Sequence, residues 1–381
     1  MSKNSIQTSE QAEYSASRRR FLKNGALAAL GLAAARSGFP FSDPRSSSGL
    51  AGANTLTTGS AAGLPPGGRP LGLSAAAKSR VVLVRHSAVV DAAGKVQAPL
   101  LQSILDKAIT TFSGKSTVAD AWRQFVSPDD VVGLKINTLG LQEIRGTDYT
   151  RHFPAFAEAM ATGLRAAGVK DKNIVVWDRS EEEMESAGLT IQKDPGRMRF
   201  IANKGGRLSA GDYAPTTYPV GSGSSRVSAI LADICSVVIN VPVPKTHGKS
   251  LFTGAMKNHY GTIDNPSHYH ADGCSNPGIA EVNAIPIIRK KEKLVVSDAL
   301  LIVSEGGPRW SRRFTKPFGG VIVGTDPVAV DAVALQIIDD AREKDGMERL
   351  AAQVKHLPLA EALGLGNSRL ESIDLVSLTL G

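Results

Sequence analysis

The sequence predicts an α/β protein with a mostly parallel sheet and helices on both faces. Three observations carry this. Short, β-branched apolar runs alternate with stretches whose apolar residues recur at helical spacing. The strand runs are apolar throughout rather than at every second position, the pattern of strands covered on both sides. The body, residues 79–381, is about 300 residues long, enough for one large domain or two tightly packed lobes.

In chain order, strands are expected over residues 80–84, 131–136, 173–177, 236–241, 293–296 and 320–323, with an edge strand over 373–380. Helical spacing marks 98–112, 153–167, 225–232 and 327–341. Asp326 before Pro327 is also a strong helix-start signal, an acidic cap followed by proline in the first turn. Polar residues follow the strand runs: Lys135 and Asn137, Asp178 and Arg179, Lys245 and His247, Ser297 and Asp298, then Thr325 and Asp326. In an open parallel sheet the strand C-termini share one edge, and ligands bind in the crevice there. These residues are therefore expected to line one site.

Residues 245–270 hold four of the seven histidines, His247, His259, His268 and His270, together with Lys245, Lys249, Lys257, Asn258 and Asp264. Residues 251–259 are expected to form a short helix. His268 and His270, two apart, share a face if the segment is extended. Two chemistries suit this composition. The four histidines could be ligands of a divalent metal, imidazole being its commonest protein donor. Alternatively, the histidines and lysines bind an anion. The spacing matches no His-Glu-x-x-His motif.

Other chemistry lacks a motif. There is no phosphate-binding Gly-x-x-x-x-Gly-Lys-Ser/Thr, no Gly-x-Gly-x-x-Gly after a strand and no Gly-x-Ser-x-Gly elbow. The chain has only two cysteines, Cys235 and Cys274, so neither a four-cysteine iron–sulfur cluster nor a Cys-x-x-Cys-His haem attachment is expected. The two thiols are expected either as a disulfide or, in the blander reading, free.

The N-terminus carries an address. Arg18 and Arg19, then Phe21, Leu22 and Lys23, precede a weakly apolar run over residues 25–35. This is the layout of a twin-arginine export signal, placed at residues 1–36. Its apolar run is below the ~18 residues a spanning helix needs, so no stable membrane anchor is expected. Residues 37–78, dense in Gly, Ser and Pro, read as a flexible linker. The expected partner is the twin-arginine translocation machinery, and the expected location is the periplasm or another exported compartment. Of the net charge of +8, the first 45 residues supply seven basic against three acidic groups. The remainder is only mildly basic, with no stripe suited to nucleic acid.

The order of several segments resembles the DUF362 family. They are Gly-Leu-Lys-Ile-Asn at 133–137, Ile-Asn-Val-Pro-Val-Pro-Lys-Thr-His at 239–247, and Phe-Thr-Gly-Ala-Met-Lys-Asn at 252–258 with Gly261. His268, Asp298 with Gly-Gly-Pro at 306–308, and Val-Gly-Thr-Asp-Pro-Val-Ala-Val-Asp at 323–331 complete the series. The resemblance implies the fold and candidate site positions, not a substrate. Some relatives append a ferredoxin-like cysteine module, which this chain lacks.

The resulting expectation is an exported enzyme acting on a small anionic substrate in a crevice lined by Lys, His and Asp. Lys245, His247, Lys257 and Asp298 are the candidate catalytic residues. Lys135, Asn137, Asp178, Asn258 and Asp326 are the candidate substrate-binding residues. The alternatives are a non-catalytic metal- or anion-binding protein and an accessory partner of an exported redox enzyme.

Overall fold

A computed structural model describes residues 78–140, 147–149, 152–203 and 212–381. The expected signal peptide, and all of the linker except Lys78, lie outside them. The strands are β1 (Ser79–His86), β2 (Val132–Lys135), β3 (Ile174–Asp178), β4 (Arg199–Ala202), β5 (Tyr213–Val220), β6 (Gly223–Ser228) and β7 (Val237–Asn240). They continue with β8 (Lys245–His247), β9 (Leu251–Thr253), β10 (Glu292–Val303), β11 (Thr315–Gly324) and β12 (Ile373–Leu380). The helices are α1 (Ala98–Ser113), α2 (Val118–Trp122), α3 (Phe153–Ala166), α4 (Glu181–Ser186), α5 (Ala255–Asn258), α6 (Ile279–Asn283), α7 (Pro286–Lys291), α8 (Pro327–Lys344) and α9 (His356–Ala362).

The main sheet has ten strands in the order β12-β1-β11-β10-β7-β2-β3-β4, with β8 and β9 attached beyond β10. Neighbours from β10 to β4 are all parallel, and β12 is parallel to β1. Only β11 runs against both of its neighbours, and β9 runs against β8. The sheet is therefore mostly parallel, as the continuous apolar runs required.

Residues along each strand divide between two faces at period two. On β2, Val132 and Leu134 face one core, which takes Leu101, Ile104 and Leu105 from α1, Trp122 from α2, and Phe156, Met160 and Leu164 from α3. The other core takes Val81 and Leu83 from β1, Ile279 from α6, and Val330, Val333, Ile337 and Ile338 from α8. Burying each of these large side chains contributes about 1.5–3 kcal/mol, so both helical layers are held by packing on the sheet.

Three elements differ from the sequence expectation. Residues 225–232 are not one helix: β6 pairs with β5 as a hairpin up to Ser228, and a π-helical turn, Ile230–Ile234, follows. Residues 251–259 divide into β9, α5 and the start of a 3₁₀ turn, His259–Thr262. The strand expected at 293–296 is the twelve-residue β10, which continues through Ser297 and Asp298. Cys235 and Cys274 are both buried and free. No helix among the described residues is long and apolar enough to cross a membrane.

Candidate functional site

A solvent-open cleft of about 80 Å³ lies where β2, β3 and β8 end. It is lined by Lys135, Asn137, Asp178, Lys245, His247, Lys257, Asn258 and His270, eight of the residues singled out from the sequence. The parallel sheet brings these together. Lys135 and Asp178 close two adjacent strands, and Lys245 and His247 form β8 beyond the end of β7. α5 then brings Lys257 and Asn258 to the cleft.

The floor is a closed hydrogen-bond network. Lys135 is fully buried, and its Nζ donates to Asp178 Oδ1 at 2.7 Å, the Ile136 carbonyl at 2.7 Å and Asn258 Oδ1 at 2.9 Å. Asp178 also accepts the Thr138 amide and hydroxyl, each at 2.7 Å, and the Arg179 amide at 2.8 Å. Burial alone would raise the Asp178 pKa, but Lys135 and the Thr138 donors hold it below the usual carboxylate range. Asn258 Nδ2 donates to the Lys135 carbonyl and to Asn240 Oδ1. Gly261 seals this floor: a Cβ there would sit 3.0 Å from Lys135 Nζ, so a side chain would press on the ion pair.

The walls carry two further lysines, neither in salt-bridge contact with a carboxylate among the described residues. Lys245 is fully buried, and its Nζ donates to Asn137 Oδ1 at 2.8 Å and the Leu139 carbonyl at 2.6 Å. Burial pushes its pKa down to about 7. Lys257 lies 3.9 Å over the Tyr260 ring, a cation–π contact, with His270 Nε2 at 3.4 Å and the Cys274 thiol at 3.9 Å. Burial lowers its pKa to about 8.

The two cleft histidines are neutral and of opposite polarity. His247 Nδ1 accepts the Lys249 amide at 3.1 Å and the Ser250 amide at 3.3 Å, so its proton sits on Nε2. Burial, with Lys257, His270 and Lys245 nearby, pushes its pKa down to about 3. His270 Nδ1 donates to the Pro266 carbonyl at 2.8 Å, which leaves Nε2 as an acceptor facing Lys257. The rings stack with centroids 5.9 Å apart. Burial and Lys257 lower the His270 pKa as well. The cleft thus offers one imidazole donor, one imidazole acceptor and two lysines.

Four expected site residues lie elsewhere, each for a physical reason. Asp326 follows β11, and because that strand is reversed its end falls on the opposite edge of the sheet. There it caps α8 through the Val328 and Ala329 amides and accepts from Ser79 Oγ. Asp298 sits mid-strand on the face shared with Leu294, Val296 and Leu300. It lies 2.9 Å from His152 Nε2. His259 turns inward, its Nε2 2.7 Å from Glu292 Oε2. His268 is exposed. The four histidines therefore do not converge, and no group of three or more His, Cys, Asp or Glu among the described residues could hold a metal ion.

Several cleft residues were not among those expected from the sequence: Leu139, Thr253, Tyr260, Pro266 and Pro308. Tyr260 had a signal, since an aromatic three positions after Lys257 is within its reach on a helical turn. Pro308 had only its place in the Gly-Gly-Pro segment of the family resemblance, because tertiary folding brings it to the cleft.

The fold and cleft define an α/β protein with a lysine- and histidine-lined cleft at the C-terminal edge of its parallel strands. Residues 132–336, more than half of the chain, match the family model described as a domain of unknown function, DUF362, and the chain belongs to that family. No curated protein matches the chain. Among solved structures, a Thermotoga maritima protein from a structural genomics consortium is similar at 11% identity with a TM-score of 0.37. The match covers 70% of this chain and 59% of that one, a likeness too distant to inform the site.

Proposed function

We propose that this protein is exported and that its cleft takes a small anionic substrate, on which it acts as an enzyme. The carrying observation is that Lys245 and Lys257, both buried and without an acidic partner among the described residues, line one cleft. Lys135, by contrast, is matched by Asp178 at 2.7 Å. Burying the Lys257 ammonium without a counter-ion costs several kcal/mol, and an anionic ligand would offset that cost. The opposite polarity of His247 and His270 supports chemistry beyond binding, since it offers a proton donor and acceptor side by side. Export rests on the order of Arg18, Arg19, Phe21, Leu22 and the apolar run after them.

Calorimetric titration with phosphate, pyruvate and citrate at pH 7 tests the reading. At least one anion should bind the wild-type protein, and Lys257→Met should weaken it by roughly 10–100-fold, the worth of one charge-assisted hydrogen bond. If none of the three binds, the cleft is not an anion site.

A further inference from the structure

We propose that Lys245 is a nucleophile that forms an imine with a small 2-oxo carboxylate held by Lys257. This rests on the anion reading of the cleft and assigns its two lysines different work.

The geometry at the three cleft lysines separates them. An ammonium has three N–H bonds, whereas a neutral amine has two and a lone pair, in both cases tetrahedral about nitrogen. Lys135 Nζ meets three acceptors, Asp178 Oδ1, the Ile136 carbonyl and Asn258 Oδ1, so every tetrahedral direction is taken by a proton. It has no lone pair to offer. Lys245 Nζ meets two, Asn137 Oδ1 and the Leu139 carbonyl. Those two oxygens match the two N–H bonds of a neutral amine, and no third protein acceptor claims the remaining direction of a side chain that lines the cleft. Desolvation favours the same neutral form and outweighs the opposing pull of Asp178 and Glu183. Lys257 has a π face and an imidazole nitrogen for partners, which suit a cation. It is the group to hold a carboxylate.

The reaction balances with nothing added. The Lys245 lone pair forms a C–N bond to the carbonyl carbon as the C=O π pair moves onto oxygen. That oxygen takes the two protons leaving nitrogen and departs as water when the C–O bond breaks. The nitrogen pair then closes the C=N bond. Nε2–H of His247, also in the cleft, can donate a hydrogen bond to the oxygen while it carries charge.

The test is reductive trapping of the full protein with pyruvate and sodium borohydride at pH 7, mapped by peptide mass spectrometry. Hydride adds to the imine carbon and leaves a stable carboxyethyl group on the lysine. Lys245 should be labelled at least about tenfold faster than the exposed Lys95 and Lys115, the advantage a bound over a random carbonyl provides. Lys245→Arg should lose that adduct. Lys257→Met, which leaves the nucleophile in place, should slow labelling about tenfold at low pyruvate. Labelling of Lys245 no faster than Lys95 and Lys115, or preferential labelling of Lys257, overturns the proposal. Calorimetry on the same sample separates the two ideas. Pyruvate or phosphate binding without trapping sinks the imine and leaves the anion site standing, whereas absence of any anion binding sinks both.

Discussion

Removing the Asp178 carboxylate should destabilise the protein more than removing the Lys135 ammonium that it pairs with. The two groups are 2.7 Å apart, with side chains 0% and 4% exposed. Asp178→Ala leaves a buried ammonium with only the Ile136 carbonyl and Asn258 Oδ1 as acceptors. Breaking a buried pair in this way costs about 3–5 kcal/mol. Burial already holds the Lys135 pKa below its ordinary value despite Asp178, so the variant sheds part of this cost by losing the proton. Lys135→Met is milder. Asp178 keeps three donors, the Thr138 amide and hydroxyl and the Arg179 amide, so its charge stays solvated and the loss is about 1–3 kcal/mol. In the double variant no charge is stranded, and the two losses should fall short of additivity by about 2 kcal/mol. Urea unfolding at pH 7 measures this as midpoint shifts at unchanged slope. Two results would refute the reasoning: a cost for Asp178→Ala below about 1 kcal/mol, or a cycle additive to within about 0.5 kcal/mol. Either would mean that Lys135 does not spend its charge on Asp178.

Anion affinity should fall about tenfold per pH unit above pH 8, because Lys257 loses its proton near its lowered pKa of about 8; calorimetry giving a flat profile to pH 9.5 contradicts its role. At the His152–Asp298 pair, burial pulls the His152 pKa down, but the carboxylate 2.9 Å away wins and raises it. The stabilisation is therefore full below the ordinary histidine pKa and is lost as pH rises through the raised value, and Asp298→Asn should abolish this dependence in thermal melts. Because Asp298 does not line the cleft, the same variant should bind anions within about twofold of wild type. Replacing Arg18 and Arg19 by Lys should leave precursor in the cytoplasm; fractionation that finds the double variant exported removes the basis of the address.

The strands that build the sheet's centre were legible because each is apolar at consecutive positions, as Val237–Asn240 and Ile174–Asp178 illustrate. β8 and β9 are only three residues long, too short to show a period. β6 was hidden for another reason. Residues 225–232 place Val227, Ile230 and Leu231 at helical spacing, but pairing with β5 keeps residues 223–228 extended. The hairpin is a tertiary override of a local pattern.

The site was legible where a residue's place depends only on a parallel strand ending, and illegible where direction, face or turn decides. Apolar periodicity is blind to strand direction, so nothing in Val-Ile-Val before Asp326 distinguishes β11, whose pairing is antiparallel on both sides, from its parallel neighbours. Face depends on where a strand stops. If β10 ended at Val296, Asp298 would be a loop residue free to turn towards the cleft. Because the strand continues to Val303, period-two alternation commits Asp298 to the face of Val296 and Leu300. The histidines show the third case. Spacing of two puts His268 and His270 together on an extended chain, but Pro266–Tyr269 is a 3₁₀ turn. At about three residues per turn, positions two apart are separated by roughly 240°. Hence His268 points to solvent while His270 reaches Lys257, and His259, opening the preceding turn, faces Glu292. One short change of helical period keeps the four histidines apart and leaves His247 and His270 beside Lys245 and Lys257 in the cleft.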